Sequence, residues 1–340
     1  MLCSILQLPK RPVAWRSTAL FLALTLTSAC SGNQTSAGDS TQLPVISAET
    51  TAPSPAPTSA APNTTETTAE VDLNELPLPG SAAELAQQIS EVELAIVDPE
   101  TPVEQLSSLG RRQQALYQLL DIQRDWVPEV EAGIDPTLKT VFDQNWQAKQ
   151  ALTSLVGTER VHSSLPAWRL VEPDPADELL GHYKAAEGAT GIDWEYVAAI
   201  NLVETRMGRI EGVSTAGAVG PMQFLPTTWN ECCEGDPTNT SDAIRGAAKY
   251  LTDRGGPSDM DKAILGYNNS QFYVDAVKAY ADVLRVDERS YYAYHGWEVY
   301  FQTSEGLILM PSDYEESEEV PVGEWLKENP NTAFPDGYNK

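Results

Sequence analysis

Apolar residues recur at helical spacing along most of the chain after residue 80. Between Leu85 and Ile96 they stand at intervals of four, three and four residues, which is the spacing of one face of an amphipathic helix. Similar patterns, separated by short breaks at Pro, Asp and Gly, continue to residue 286. Such faces are buried by packing helix against helix, so the sequence predicts a mainly α fold.

The first 75 residues predict export and a tether. Residues 1–30 carry three basic residues and an apolar run and end in Ser-Ala-Cys30, which is typical of a lipoprotein signal peptide with lipidation at Cys30. An ordinary signal peptide cut near Ala29, or an uncleaved anchor, fits the same residues. Residues 31–75 contain no Lys, Arg or aromatic residue, and are expected to form a disordered tether or a plain spacer.

The strongly negative charge of the chain disfavours nucleic acids and anionic membrane surfaces as partners. The net charge is −27, and about −30 after Cys30, because three basic and no acidic residues precede that position. Nucleic-acid binding needs clustered Lys and Arg and is therefore disfavoured. An anionic membrane surface would repel such a chain, so we expect attachment to a membrane through the lipid alone.

The cysteines and histidines show no metal-ligand spacing. After Cys30 the remaining cysteines are the adjacent pair Cys232 and Cys233, and the three histidines stand singly. A vicinal disulfide is possible in an exported protein, but it closes a small ring, so two free, partly buried thiols are expected. We expect no metal and no cofactor.

Breaks in the helical pattern indicate three parts after the tether. Residues 76–165 contain three predicted amphipathic helices with short connections, and predict a helical bundle. Residues 166–288 are predicted to be helical as well. In residues 289–340, alternation from Trp297 to Thr303, followed by Gly306 and an apolar run, predicts a β-hairpin. Aromatic residues just before the hairpin either pack or stack on sugar, and packing is the expectation.

Glu204 lies on the apolar face of the helix predicted over residues 193–208, on the same stripe as Val197. A glutamate turned toward a core loses water, which favours its neutral form and raises its pKa, as a general acid near neutral pH requires. From this helix alone, a glutamate that leans into solvent or pairs with Arg206 or Arg209 fits as well.

Two further motifs follow Glu204. Val203-Glu-Thr-Arg-Met-Gly-Arg209 is followed by Gly220-Pro-Met-Gln223 and then by Gly266-Tyr-Asn268. In this order they resemble the motifs of lytic transglycosylases with a goose-type-lysozyme-like (soluble lytic transglycosylase) domain. The first motif is most similar to the membrane-bound murein transglycosylase B type. The resemblance covers roughly residues 175 to 285 and is specific because three ordered motifs carry it.

The resemblance implies a lysozyme-like catalytic domain that cleaves the β-1,4 bond between N-acetylmuramic acid and N-acetylglucosamine in peptidoglycan. Glu204 would be the single catalytic acid and base, and the product would be a 1,6-anhydro-muramoyl end. Gln223, Met222, Tyr267 and Asn268 would bind the substrate, and Tyr267 would also donate a hydrogen bond to the Glu204 carboxylate or orient it. A muramidase-like hydrolase and a non-catalytic cell-wall-binding scaffold are the alternatives.

The segments around the motifs complete the prediction. No clear second carboxylate stands near Glu204, which fits a single acid and base. Residues 231–241 lack the alternating carboxylates of the calcium-binding loop that the B type often carries, so no metal is expected there. The expected partners are glycan strands, a membrane through the lipid and, through residues 76–165, other cell-wall enzymes. The expected location is the cell envelope.

Overall fold

Helices dominate the computed structural model, which describes residues 77–157 and 162–335. The prediction of a mainly α fold is confirmed. Within these residues the twelve α-helices are α1 Ala82–Val97, α2 Val103–Ile122, α3 Val127–Gly133, α4 Lys139–Val156, α5 Ala176–Thr190, α6 Trp194–Thr205, α7 Pro226–Cys232, α8 Thr240–Asp253, α9 Met260–Tyr267, α10 Gln271–Val286, α11 Arg289–His295 and α12 Val322–Glu328.

Six short strands form three antiparallel pairs in the same part of the chain. They are β1 Ser164–Leu165 with β6 Val320–Pro321, β2 Arg169–Leu170 with β3 Ile210–Glu211, and β4 Val299–Thr303 with β5 Gly306–Met310. The last pair is the predicted β-hairpin, in which Val299 lies opposite Met310. The other two pairs join segments far apart in sequence, so local patterns did not reveal them.

The start of α1 follows a local capping rule, whereas both ends of α6 differ from what the sequence suggests. Ser81 caps α1, its Oγ accepting the Glu84 N–H at 3.3 Å. Asp193 precedes α6, but its carboxylate pairs with Arg285 at 3.2 Å instead of capping the helix. The same helix was predicted to reach Gly208 and ends at Thr205, because the next residue turns into the left-handed region.

The N-terminal helices share a hydrophobic core with the helices of the predicted catalytic part. Helix α4 packs along α10, and α2 packs along α11. Leu152 and Leu155 of α4 belong to the same buried cluster as Val197 of α6 and Val277 of α10. The domain limits 76–165, 166–288 and 289–340 stay predictions, while the described residues across them are packed together.

The aromatic residues before the hairpin pack, as expected. Tyr291, Tyr294 and Trp297 are buried, and Tyr294 and Trp297 contact each other edge to face with ring centroids 4.7 Å apart. Tyr292 is half-buried, and its hydroxyl donates to Asp177 at 2.8 Å. These rings are part of the core, so the hypothesis that they stack on sugar is wrong.

The expectation of free thiols is also wrong, because Cys232 and Cys233 form a disulfide with Cα atoms 3.7 Å apart. Cys232 is the last residue of α7, and Cys233 already has extended backbone angles. The change of backbone direction between neighbours lets their side chains converge. The predicted signal peptide, Cys30 and the tether at 31–75 lie outside the described residues. Within those residues, no helix combines the length and apolar character needed to cross a bilayer.

Glu93 is a buried carboxylate at the centre of a polar network among the N-terminal helices. Its side chain accepts hydrogen bonds from Gln113 and Tyr117 of α2 at 3.0 Å and from Asn145 of α4 at 3.1 Å. Burial raises the pKa of Glu93 to about 7, against the lowering effect of these hydrogen bonds. Trp297 in turn donates to Gln113 at 3.0 Å, so the network reaches the residues that precede the hairpin.

We predict that Glu93 makes the stability of the fold depend on pH. Because its pKa is raised on folding from 4.5 to about 7, its contribution to stability is fully present below pH 4.5 and is lost as the pH rises through 7. Glu93→Gln should remove up to about 3 kcal/mol of the decrease in the unfolding free energy between pH 5 and pH 8. Urea unfolding of both proteins at pH 5 and pH 8 measures this change in the unfolding free energy.

Glu91→Gln on the same helix is the matched control, because Glu91 is half-exposed and accepts a hydrogen bond from Gln87 at 2.8 Å, outside the Glu93 network. This control should retain the pH dependence of the unmodified protein. Equal pH dependence in Glu93→Gln and Glu91→Gln would show that Glu93 does not titrate in the folded state as described.

Candidate active site

Glu204 is buried in the last turn of α6. Every residue of that helix from Val197 to Thr205 is buried, and Glu204 itself is only 3% exposed. The hypothesis that it leans into solvent is therefore wrong. Loss of water raises its pKa, while a hydrogen bond to its charged form acts in the opposite direction. Burial thus favours the protonated form of Glu204, which is the form that a general acid needs.

The arginines that follow Glu204 point to other partners. Arg206 donates to the Leu202 carbonyl at 2.7 Å. Arg209 is buried and donates to Glu172 at 2.9 Å and to the Trp297 carbonyl at 3.1 Å. Both arginines are thus used in holding the end of α6 and the segment after it.

The backbone after Glu204 turns sharply at two residues other than glycine. Arg206 and Met207 have φ values of 56° and 60°, and Gly208 continues the left-handed run. For a residue with a Cβ this region costs about 1–2 kcal/mol. The Arg206 N–H bonds to the carbonyls of Asn201 and Leu202 and so closes the last turn of α6. The helix therefore ends abruptly at Thr205.

The second motif, Gly220–Gln223, lies in a loop that is held to α6 by hydrogen bonds to the carbonyl of Pro221. This oxygen accepts from Asn201 Nδ2 at 2.8 Å and from Thr205 Oγ1 at 2.6 Å. The Thr205 hydroxyl also accepts the Gly208 N–H at 3.0 Å, and Tyr183 donates to Asn201 Oδ1 at 2.5 Å. The residue next to Glu204 therefore sets the distance between the catalytic helix and the loop that faces it.

The loop itself depends on glycine and on a strained glutamine. Gly220 has φ 75°, and a Cβ there would lie 1.9 Å from the Pro237 carbonyl oxygen, so only glycine fits. Gln223 has φ 49° and donates its Nε2–H to the Gly220 carbonyl at 2.9 Å. Its Oε1 is buried and accepts no hydrogen bond from the described residues. The Gln223 side chain thus closes the loop through its Nε2, while its buried Oε1 is still able to accept a hydrogen bond.

The hydroxyl bonded to Glu204 is that of Tyr273, not that of Tyr267. Tyr273 OH donates to Glu204 Oε1 at 2.9 Å, whereas Tyr267 OH donates to the Met222 carbonyl at 2.7 Å. Because a phenol has a single proton to donate, the prediction that Tyr267 donates to the carboxylate is wrong. The two rings are stacked with centroids 6.4 Å apart, so Tyr267 stands directly behind the donor.

Met222 and Asn268, which were also predicted to bind the substrate, differ in how far their side chains reach solvent. The Met222 side chain is completely buried in the core, so its carbonyl rather than its side chain contributes to the site. Asn268 follows the last residue of α9 and is half-exposed, with its backbone N–H bonded to the Ile264 carbonyl. Its side chain is therefore left for other contacts near the end of α9.

Aromatic rings connect the three motifs. Phe224, next to Gln223, contacts Trp229, Tyr250 and Tyr267 edge to face, with centroids 5.1, 5.9 and 5.6 Å away. Such contacts each add about 0.5–1.5 kcal/mol beyond burial of area. They hold the loop, α8 and α9 in one arrangement and thereby hold Tyr267 against the Met222 carbonyl.

Tyr273 and Asn201 are the site residues that the sequence did not reveal. Both stand on helices at spacings that fit core positions, with Tyr273 aligned with Val277 and Tyr280 on α10. A polar atom on an otherwise apolar stripe was the available signal, and it was the signal that had identified Glu204. For a tyrosine this signal is weak, because its ring is ordinarily buried.

Asp236 in the loop 231–241 and Asp242 just after it both accept local hydrogen bonds. Asp236 accepts from the Thr238 N–H at 2.8 Å, and Asp242 accepts from the Asp236 N–H at 3.0 Å. Asn239 caps α8. No cluster of three or more His, Cys, Asp or Glu side chains suited to a metal occurs in the described segments of the chain.

We predict that removing the Tyr273 hydroxyl raises the pKa of Glu204. The hydrogen bond favours the charged carboxylate, so Tyr273→Phe should shift the titration of Glu204 to higher pH. NMR titration of ¹³C-labelled glutamate carboxyl groups measures this, with the Glu204 resonance assigned by its loss in Glu204→Gln. Tyr267→Phe is the matched control and should leave this pKa in place, because its hydroxyl donates to Met222. A shift in Tyr267→Phe alone would reverse the assignment of the donor.

Comparison with known proteins agrees with this geometry. Residues 182–286 match the family model described as the transglycosylase SLT domain. A relative, the membrane-bound lytic murein transglycosylase F of Thiobacillus denitrificans, is 26% identical over 127 residues, which are 35% of this chain and 27% of that protein. The chain thus spans about a quarter of the length of this relative. No solved structure matches significantly. The matched segment contains α6, the loop and α9–α10, so the similarity to the transglycosylase SLT domain extends over all three motifs.

Proposed function

We propose that this protein is a peptidoglycan lytic transglycosylase. It cleaves the β-1,4 bond between N-acetylmuramic acid and N-acetylglucosamine and leaves a 1,6-anhydro-muramoyl end. The observation that carries the proposal is Glu204, a buried carboxyl with a raised pKa and a tyrosine donor, within a matched SLT domain.

In the proposed reaction, one carboxyl group moves both protons. Glu204 gives its proton to the leaving glycosidic oxygen as the bond from that oxygen to C1 of the muramoyl residue breaks. The Glu204 carboxylate then takes the proton of the substrate 6-hydroxyl, whose oxygen forms the new bond to C1. The 2-acetamido group of the substrate stabilises the positive charge at C1 between these steps. No water enters the product, and Glu204 ends protonated as it began.

The arrangement of neighbouring carboxylates supports a single acid and base. Glu195 precedes Glu204 by nine residues on the same helix, a separation of about 13.5 Å along its axis. Paired carboxylates in hydrolases stand about 5–9.5 Å apart, so Glu195 is too far away. Glu211 is half-exposed and pairs with Arg169 at 2.8 Å. Neither is placed to act as a nucleophile or as a base for water.

The remaining motif residues are proposed to bind the glycan. Gln223 offers its buried Oε1 as an acceptor to a sugar amide or hydroxyl after a small rotation of its side chain. Asn268 offers its half-exposed amide at the end of α9. Tyr267 and Met222 support the site from behind through their mutual hydrogen bond. Tyr273 is a positioning residue for the Glu204 carboxyl group.

We predict that Glu204→Gln abolishes cleavage and leaves the fold intact. Glutamine has nearly the same shape but cannot give or take the proton, so activity should fall by at least about 10²–10⁴-fold. Digestion of purified sacculi followed by mass spectrometry measures both rate and product. Anhydro ends identify the transglycosylase, reducing muramic ends would identify a hydrolase, and binding without any cleavage by the unmodified protein would identify a scaffold.

We also propose that the chain is held at a membrane in the cell envelope through a lipid on Cys30, with residues 31–75 as the tether. This rests on the sequence of residues 1–75 and on the strongly negative charge that follows. The bundle region at 76–165 remains a candidate surface for other cell-wall enzymes. Metabolic labelling with a palmitate analogue should mark the protein and should fail in Cys30→Ala. Equal labelling of both would exclude lipidation at this residue.

A further inference from the structure

A cavity of about 620 Å³ lies between α2, α4, α10 and the β4–β5 hairpin. Its lining includes Arg206 at the end of α6 but none of Glu204, Gln223, Tyr267 or Asn268. Its volume is in the range of small-molecule sites, about 300–1,000 Å³. It is therefore a second cavity, walled mostly by elements outside the three motifs.

Basic side chains outnumber acidic ones in this cavity. Lys149 and Arg124 both pair with Asp121, the lysine at 3.1 Å, and Thr153 donates to the same carboxylate at 2.9 Å. Arg206 donates to the Leu202 carbonyl and has no carboxylate within 4.0 Å in the described part of the chain. The cavity thus contains three cations and one carboxylate, in a chain whose net charge is −27.

Burial makes this surplus of positive charge costly. Loss of water lowers the pKa of Arg206, and it lowers that of Lys149 against the opposing effect of Asp121. Arg206 also lowers the pKa of Lys149, so the two cations are close enough to repel each other. An oxyanion placed between them would relieve this repulsion and form charge-assisted hydrogen bonds with both.

The other walls combine aromatic rings with amide groups. Tyr280, Trp297 and Tyr300 line the cavity beside the side chains of Gln118 and Gln302. The half-buried ring of Tyr300 is the one that can contact the apolar face of a sugar, and amides bond to hydroxyl and acetamido groups. A purely apolar ligand would offer no hydrogen-bond partner to these amides and cations, whereas an anionic sugar would offer one.

We propose that this cavity is a second ligand site that binds a carboxylate-bearing amino sugar of the muramic acid class, with the carboxylate between Arg206 and Lys149. The choice of sugar rests on the proposed function, whereas the need for an anion rests on the cavity alone. Arg206 follows Thr205 directly and its N–H closes α6, so the ligand contacts the end of the helix that carries Glu204.

The test compares two sugars that differ by one group. N-acetylmuramic acid carries a lactyl carboxylate that N-acetylglucosamine lacks. Each is titrated by calorimetry into the full chain with Glu204→Gln, which removes turnover. N-acetylmuramic acid should bind at least about tenfold more tightly, since charged hydrogen bonds contribute that much or more. Equal affinity for both sugars, or no binding of either, would overturn the proposal.

Two lysines on α4 provide the matched variants. Lys149→Gln should weaken the binding of N-acetylmuramic acid by about ten- to hundredfold, and Arg206→Gln should do the same. Lys139→Gln should leave it unchanged, because Lys139 is half-exposed and pairs with Asp143 away from the cavity. Equal binding by the Lys149 and Lys139 variants would mean that the sugar occupies another site. The unmodified protein could still form anhydro products from sacculi in that case, so the second-site proposal can fail without the proposed transglycosylase activity failing.

Discussion

The removal of water from Glu204 is the physical condition on which the site depends. A carboxyl group at the end of an exposed helix would be ionised at neutral pH and could not give a proton. Helix α6 avoids this because core residues cover it on all sides, down to Glu204 at 3% exposure. The flanking helices contribute to this burial, since α10 is packed between α4 on one side and α6 on the other.

Hydrogen bonds from side chains to backbone carbonyls of the loop hold the site together. Two consecutive carbonyls of the loop, those of Pro221 and Met222, accept hydrogen bonds from Thr205 and Tyr267 respectively. Each bond joins a different helix to the same loop, so the loop cannot shift relative to α6 without leaving a buried polar group unpaired. This explains why Met222 matters although its side chain is fully buried. It also gives Thr205, beside Glu204, a structural role.

The part of the chain outside residues 182–286 is joined to that segment by polar as well as apolar contacts. Arg209, just after the Glu204 helix, donates to the carbonyl of Trp297, and Trp297 donates to Gln113 of α2. Gln113 is one of the donors to Glu93. A line of hydrogen bonds therefore runs from the segment after α6 to α1. The cavity that contains Arg206 and Lys149 lies between these same elements.

The sequence by itself determined the features that depend on neighbours along the chain. Ser81 caps α1, the helices at 82–97, 103–122 and 271–286 follow their apolar spacing, and the hairpin follows its alternation. Glu204 was recognisable because it interrupts an apolar stripe. Only the tertiary structure decided that Tyr273 rather than Tyr267 bonds to Glu204, that Cys232 and Cys233 are joined, and that Arg206 faces a cavity. Helical periodicity reports which face of a helix is buried, whereas the partner of each buried group depends on how α10, α6 and α4 dock, through contacts between residues more than 50 positions apart.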